Sequence, residues 1–186
     1  TMSLRNDGDL YKASVYAENA PWANSIYMLR DTLYSTMTKA NYFPVSYTYI
    51  AHENGKYKKD VLIFSHTGNT FSANAVRYKR AAEGEPMTSW KLHLEAQGMT
   101  VDMLSSFFYL RTLDFPNMKS GQSITVNIFS GSKKEKLKIT YKGTQTITLN
   151  GRKFPTYYIN FTFTRKGVES SAPISGWIST DGQRIP

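Results

Sequence analysis

Cysteine is absent from this chain of 186 residues. Without a thiol the protein has no disulfide bond, no cysteine nucleophile and no thiolate metal site. The absence does not indicate a compartment, because a cytosolic protein and an exported protein stabilised by its core alone both fit it. A chain of this length buries about 70% of the surface that its unfolded form exposes. We therefore expect residues 1–186 to form a single β-rich domain around one sizeable core.

Long hydrophobic runs are also lacking, so no segment is long enough to cross a bilayer. The chain opens with Thr-Met-Ser-Leu-Arg, which has neither the basic nor the apolar part of a signal peptide. If the protein is exported, its signal peptide has been removed or lies outside this chain.

The chain also lacks sequence motifs for metal binding and for a catalytic nucleophile. His52, His66 and His93 are far apart and have no zinc-ligand spacing around them. The string Ser-Gly-Ser-Lys at 130–133 matches the Ser-x-x-Lys motif of penicillin-recognising enzymes, but it falls in a predicted turn rather than at a helix start. No nucleophile elbow, phosphate loop or dinucleotide fingerprint occurs.

Carboxylate pairs of the glycosidase type need no adjacency in sequence, so they stay open. Glu53, Asp60 and Glu95 lie near predicted strand ends, yet nothing in the sequence singles out any of them. We therefore expect a protein without enzymatic activity, catalytic residues, bound metal or cofactor.

The formal charge of +9 has two interpretations. It suits an anionic partner such as nucleic acid or a phospholipid surface, or it reflects lysines on the solvent faces of strands. In 135–142 the lysines alternate with Leu137, Ile139 and Tyr141, which favours the solvated face. The basic and aromatic strings at 56–59 and 78–80 resemble a nucleic-acid surface but equally suit an outer sheet face. We expect no nucleic-acid partner.

Alternation of apolar and polar residues is the dominant pattern of the chain and predicts β-strands. The clearest case is 156–164, where Tyr157, Ile159, Phe161 and Phe163 share one face. The other predicted strands are 10–17, 43–52, 56–66, 71–80, 87–95, 124–128, 135–142, 144–149 and 174–180. Asn-Gly pairs at 54–55 and 150–151 supply the positive φ angles of hairpin turns, and 131–134 predicts a longer loop. The sequence thus predicts an antiparallel meander.

One segment breaks the alternation. Residues 102–113 carry apolar residues at helical spacing, with Thr100 as a cap, Asp102 in the first turn and Pro116 as the stop. A helix this apolar must be buried in or across the sheet. A second helical turn is expected at 22–29, after Pro21.

The order of these motifs resembles that of a protein family. The run Asp-Met-Leu-Ser-Ser-Phe-Phe-Tyr-Leu-Arg at 102–111 resembles the helix motif of the exported Gram-negative domain of unknown function family 3108. Met-Leu-Arg-Asp-Thr at 28–32, Glu-Asn-Gly-Lys-Tyr at 53–57 and the closing 177–186 resemble further motifs of that family, in the same order. The resemblance spans roughly residues 10–186.

The resemblance implies export to the periplasm or outer envelope and a curved, incompletely closed β-barrel around a helix, similar to lipoprotein carriers. It implies no activity. Members of the family usually begin with earlier strands and end with one more after the motif that Pro186 closes. We therefore expect terminal strands to be missing from residues 1–186, and the complete protein to be more closed.

Two functions fit these observations. In the first, the protein binds an apolar or lipid-like ligand in a barrel cavity. The residues expected to line that cavity are Leu104, Phe107, Phe108, Leu110, Trp90 and Phe161. In the second, the helix fills the barrel as a solid core and the surface contacts another envelope protein. A void of about 300 Å³ or more would favour the first function. An enzyme would instead show convergent titratable groups in a cleft. The sequence does not indicate the oligomeric state.

Overall fold

The computed structural model describes residues 1–19, 29–165, 167–169 and 173–186. Strands make up most of these residues, which confirms the mainly β prediction. In chain order they are β1 Met2–Asp7, β2 Leu10–Glu18, β3 Leu29–Thr38, β4 Pro44–Glu53, β5 Lys56–Thr67, β6 Thr70–Arg80, β7 Thr88–Gln97, β8 Thr100–Asp102, β9 Ser123–Ser130, β10 Lys133–Leu149, β11 Arg152–Arg165, β12 Val168–Glu169 and β13 Ile174–Ser179.

Strands β1 to β7 form the first sheet, in sequence order and antiparallel throughout. The turn between β4 and β5 contains residues that a tight hairpin turn favours. Asn54 and Gly55 both have positive φ, at 46° and 78°, which matches the two-residue turn expected between β4 and β5. The predicted antiparallel meander is therefore confirmed for this half of the molecule.

The second sheet has the order β12-β11-β10-β9-β8, with β13 paired to β11. Asn150 and Gly151 form the predicted hairpin turn between β10 and β11. The expected longer loop at 131–134 is instead a two-residue turn, because Ser130 pairs directly with Lys133. The short β8 runs parallel to β9, so it departs from the antiparallel prediction. Among the described residues, the strands of the two sheets do not pair with each other, so they form no closed barrel. This agrees with the predicted incompletely closed barrel.

The predicted helix at 102–113 is shorter than expected. The α-helix α1 covers Ser105–Tyr109, and 3-10 turns follow at Leu110–Thr112 and Phe115–Asn117. Asp102 ends β8 rather than lying in the helix, and its Oδ1 accepts hydrogen bonds from the backbone N–H groups of Leu104 and Ser105. The helix start is therefore capped by Asp102 and not by Thr100, whose hydroxyl donates to the Gly98 carbonyl.

Two hydrophobic cores meet at this helical segment. Leu104 and Phe108 pack into the core of the first sheet, with Leu62, Phe64 and Phe129. From the same segment, Leu110, Leu113 and Phe115 pack into the core of the second sheet. The side chain of Met103 touches both cores. The segment thus joins the two sheets through packing rather than through strand pairing.

A second contact between the sheets involves a buried ion pair. Asp60 on β5 and Arg77 on β6 form a two-pronged salt bridge, in which Arg77 Nη2 donates to Asp60 Oδ2 at 2.7 Å. Gly131, in the turn between β9 and β10, lies directly against this pair. A Cβ at that position would overlap Asp60 Oδ2 and lie 2.7 Å from Arg77 Nη2. Glycine is therefore required for the turn to reach the pair.

Alternation predicted no strand at β1, β8 or β12, and only the resemblance of residues 28–32 to a family motif pointed to β3. The turn expected at 22–29 lies almost entirely outside the described residues; of that range, only Leu29 is described, and it begins β3. Among the helices of the described part of the chain, none is both long and apolar enough to cross a membrane.

Candidate functional site

The two sheets leave an open cleft where their edges face each other. On one side stand β1 and the end of β2, and on the other stand β13 and part of β11. Residues 104–111 of the helical segment line it as well, and the volume is about 1040 Å³. We call this space the seam cleft. Most of its lining residues are apolar, as in a pocket for a hydrophobic ligand.

Five of the six residues expected to line a cavity do line the seam cleft: Leu104, Phe107, Phe108, Leu110 and Phe161. Their exposure differs sharply. Leu104 is 1% exposed and Phe107 is 46% exposed, so Leu104 serves mainly as core while Phe107 projects into the cleft. The helix therefore combines both roles considered from the sequence, packing on one face and lining a void on another.

The structure does not bring Trp90 to this cleft. Trp90 lies on β7, the edge strand of the first sheet opposite to β1, where its ring is 5.8 Å from the Arg77 guanidinium. Sequence periodicity predicts the face of a strand on which a side chain lies, but not the position of that strand in the sheet. It could therefore not show that β7 forms the edge opposite to β1. The contact of Trp90 with Arg77 is a cation–π interaction.

Sequence reasoning missed the rest of the cleft wall. Met2 and Leu4 line it from β1, and Ile174 and Trp177 line it from β13. All four side chains are more than one-third exposed, although they are apolar. The alternation of Met2 and Leu4 with Ser3 and Arg5 was the available signal, but it is too short to stand out from the polar residues that follow.

Two charged side chains line the seam cleft. Glu18 accepts a hydrogen bond from the Tyr16 hydroxyl at 2.8 Å, and this bond raises the pKa of Tyr16. Arg111 is half-buried, and its guanidinium makes no hydrogen bond or ion pair with the residues that the structure describes. A guanidinium in that position is suited to the carboxylate or phosphate of an amphiphile.

Polar contacts continue across the inner face of the first sheet, the face that carries its core. Lys58 lies 4.6 Å over the Tyr49 ring and 3.4 Å from Asp60 Oδ2, next to the Asp60–Arg77 pair. The Tyr49 hydroxyl donates to Asp31 Oδ2 at 2.9 Å. Burial, followed by this hydrogen bond, raises the pKa of Tyr49, and burial lowers the pKa of Lys58.

Asp102 is the most deeply buried carboxyl group near the helix. Its Oδ2 accepts a hydrogen bond from Ser35 Oγ at 2.7 Å, while Oδ1 caps the helix. Burial raises its pKa to about 6, against the opposing effect of these hydrogen bonds. Both oxygens are occupied by structural contacts, which indicates a structural role.

The residues tested for chemistry do not converge. His52 packs against Tyr57, His66 packs between Phe43 and Phe71, and His93 hydrogen-bonds Asn74. Within the described residues there is no group of three or more His, Cys, Asp or Glu side chains arranged to hold a metal ion.

The Ser-x-x-Lys string also lacks the arrangement of a catalytic dyad. It spans the tight β9–β10 turn, and Ser130 Oγ donates to Glu135 at 3.2 Å. The serine therefore sits in a strand hairpin rather than at the start of a buried helix, where the lysine would reach it.

Comparison with known proteins places the chain in a family. Neither the curated proteins nor the solved structures include a match. The full length, residues 1–186, matches the family described as "Protein of unknown function (DUF3108)". The resemblance seen in the helix motif and the hairpin motifs is therefore confirmed at the level of the family, and this chain belongs to the DUF3108 family.

Proposed function

We propose that this protein is a non-catalytic module that binds an apolar or lipid-like ligand in the seam cleft. The observation that carries the proposal is the cleft itself, an apolar space of about 1040 Å³ between the β1 and β13 edges of the two sheets. Pockets for small ligands commonly have volumes of about 300–1,000 Å³ and apolar walls with few polar groups. The cleft has this composition, with Arg111, which makes no side-chain hydrogen bond or ion pair among the described residues, as a polar contact for one end of a ligand.

The exposed aromatic side chains support the same proposal. Phe107 and Trp177 line the cleft with a large part of their surface open to solvent. An apolar ligand that covers them removes this area from water, at about 25 cal/mol per Å² of apolar surface. Burial of the two rings alone supplies several kcal/mol before the entropy lost on binding is counted.

We also propose that the protein is exported and works in the periplasm or outer envelope. This location rests on the resemblance of the chain to exported proteins, and the net charge of +9 suits an anionic lipid surface. Fractionation of the source cells with an antibody against the protein tests the location independently of any ligand. Recovery in the cytoplasmic fraction alone would remove this part of the proposal.

A second candidate function has its own observation. The helical segment packs between the two cores, with Leu104, Leu110 and Phe115 almost completely buried. A solid interior suits a module that contacts another envelope protein through its surface. In that case the exposed apolar residues of the seam cleft would be covered by the partner.

Titration with a fluorescent fatty acid tests the ligand-binding function. Phe107→Ala is expected to weaken binding at least fivefold, because it removes the most exposed ring of the helix. Ile63→Ala is the matched control, since Ile63 is similarly exposed but is not among the residues that line the cleft. Equal affinity for the two variants would contradict a site in the seam cleft.

Native mass spectrometry of protein purified gently from an envelope extract then identifies the natural occupant. A retained species of lipid mass supports the carrier function. Protein without a bound species, under conditions in which a known lipid carrier keeps its cargo, favours the protein-interaction function.

A further inference from the structure

A second cleft, of about 630 Å³, lies at one end of the first sheet. Its lining comes from the end of β4, the start of β5, the end of β6 and the beginning of the connection to β7. Four basic side chains line it: Lys56, Lys58, Lys79 and Arg80. We call this space the basic cleft. It is lined by different residues from the seam cleft and does not depend on the function proposed for that site.

Three lysines of this cleft, Lys56, Lys58 and Lys79, lie on the inner face of the sheet, contrary to the expectation from sequence. Lys58 shares its face with Asp60, Leu62 and Phe64, because side chains two residues apart point to the same side of a strand. Lys79 is the direct partner of Lys58 on β6. The lysines of β10 behave as expected instead: Lys136 is exposed while Leu137 is buried.

The basic charges of the cleft are incompletely neutralised. Lys58 and Lys79 stand directly opposite each other, and like charges in that position are destabilising. Lys58 contacts Asp60, but Asp60 already forms the two-pronged bridge with Arg77. Burial lowers the pKa of Lys58. The negative charge of Asp60 opposes this effect, and the positive charges of Arg77 and Lys133 add to it.

An anion in the cleft would relieve the repulsion between Lys58 and Lys79. It would also lie next to Lys56, which lines the cleft and is exposed. Arg80 follows Lys79 on β6 and therefore points to the other face of the sheet, so its guanidinium takes no part in this site.

The charge of the cleft indicates the class of anion. Glu53 and Glu85 also line it, so four basic and two acidic side chains leave an excess of two positive charges. A phosphate monoester carries about −1.5 to −2 at neutral pH and offers three strong acceptor oxygens. Lysine binds such oxygens as a compact positive charge with three donors.

We propose that the basic cleft is a binding site for a phosphate group, held by Lys56, Lys58 and Lys79. The phosphate belongs either to a small soluble compound or to a lipid headgroup. Both sources present the same chemistry to the cleft, and the experiment separates them.

Isothermal titration calorimetry at low salt tests the site with inorganic phosphate and with glycerol 3-phosphate. Flotation with vesicles containing phosphatidic acid tests the lipid source. The variant is Lys56→Gln combined with Lys79→Gln, and Lys79→Gln alone serves if the double variant does not fold. The control is Lys136→Gln combined with Lys142→Gln, which makes the same change in net charge at two exposed lysines of β10.

The proposal expects saturable binding that the cleft variant weakens at least tenfold and the control changes by less than twofold. Binding of the soluble phosphates with this pattern identifies a soluble ligand, and binding of vesicles alone with this pattern identifies a headgroup. Absence of binding to all three probes overturns the proposal. Equal losses in the variant and the control also overturn it, because attraction by net charge would then suffice. Preference for a single-stranded oligonucleotide over glycerol 3-phosphate would instead indicate a nucleic-acid surface.

Discussion

Gly131 occupies the position where a single added carbon would have the largest effect on the contact between the sheets. Gly131→Ala places a methyl group against Asp60 Oδ2 and Arg77 Nη2, in a residue whose φ of 64° already disfavours a side chain. We expect a loss of roughly 2–4 kcal/mol in unfolding free energy, combining overpacking with backbone strain. Urea unfolding measures it.

Gly68→Ala is the matched control for this prediction. Gly68 has nearly the same φ, at 57°, but nothing lies within 4 Å of an added Cβ. It should therefore lose only the backbone contribution, about 1 kcal/mol. Equal losses at the two glycines would mean that the turn does not dock on the ion pair.

Asp102 should make stability depend on pH in an unusual direction. Its pKa is about 6 in the folded protein and 3.8 as the ordinary value, so the folded state holds the proton more tightly. The protonated carboxyl group therefore contributes to the free energy of unfolding below about pH 4. This contribution, up to roughly 3 kcal/mol, is lost as the pH rises through about 6. Urea unfolding of the wild type and Asp102→Asn across pH 4 to 7 measures this loss.

Asp102→Asn retains an oxygen for the backbone N–H groups of Leu104 and Ser105 and removes the buried charge. The other titrating groups are common to both proteins, so the difference between the two curves reports Asp102 alone. Relative to the variant, the wild type should become less stable between pH 4 and 6. Parallel curves would show that the carboxyl group titrates as in the unfolded chain.

At the scale of elements, the helical segment divides its residues between core and cleft. Leu104→Ala should lower the unfolding free energy by about 2–5 kcal/mol, because the side chain is fully buried between tightly packed neighbours. Phe107→Ala should cost less than about 1 kcal/mol, because nearly half of that ring is exposed. Chemical denaturation of both variants measures the two losses, and similar values would contradict the division.

The strands show what alternation predicts and what it leaves open. The predicted strands at 10–17, 56–66 and 71–80 agree with β2, β5 and β6 to within a few residues. The strand β1 was missed because Arg5, Asn6 and Asp7 end it with polar residues, and every residue in it is exposed. It is held by pairing with β2 rather than by burial.

The candidate sites were predictable to different degrees for related reasons. Four lining residues of the seam cleft lie in the helical segment, where an apolar stripe must face something apolar, and the fifth, Phe161, lies on the apolar face of β11. The basic cleft was missed although its signal was present, since Lys58 has the same parity as Leu62 and Phe64. Whether Arg111 and Trp90 line the seam cleft depends on which elements of the fold become neighbours. A local sequence pattern does not reveal this.

At the scale of the whole molecule, the two sheets should unfold together. They share no strand pairing among the described residues, but residues 103–115 pack into both cores, and the Gly131 turn docks on the Asp60–Arg77 pair. Loss of either core therefore removes the packing partner of the other, and the chain should behave as a single cooperative unit.

Tryptophan fluorescence can follow each sheet separately. Trp90 lies on β7 of the first sheet and Trp177 lies on β13 of the second. Two variants are needed, one retaining only Trp90 and one retaining only Trp177, with the other two tryptophans of the chain, including Trp22, replaced by Phe. Adding Leu62→Ala to each variant removes a buried side chain from the first core only.

We expect one urea midpoint for both probes before this change and one lower midpoint, shared by both probes, after it. The shift should be the same at Trp177 as at Trp90, although Leu62 has no place in the second core. A shift confined to Trp90 would mean that the sheets are separate folding units. The seam cleft would then lie between two independently stable parts, and ligand binding would be expected to stabilise their contact rather than either part alone.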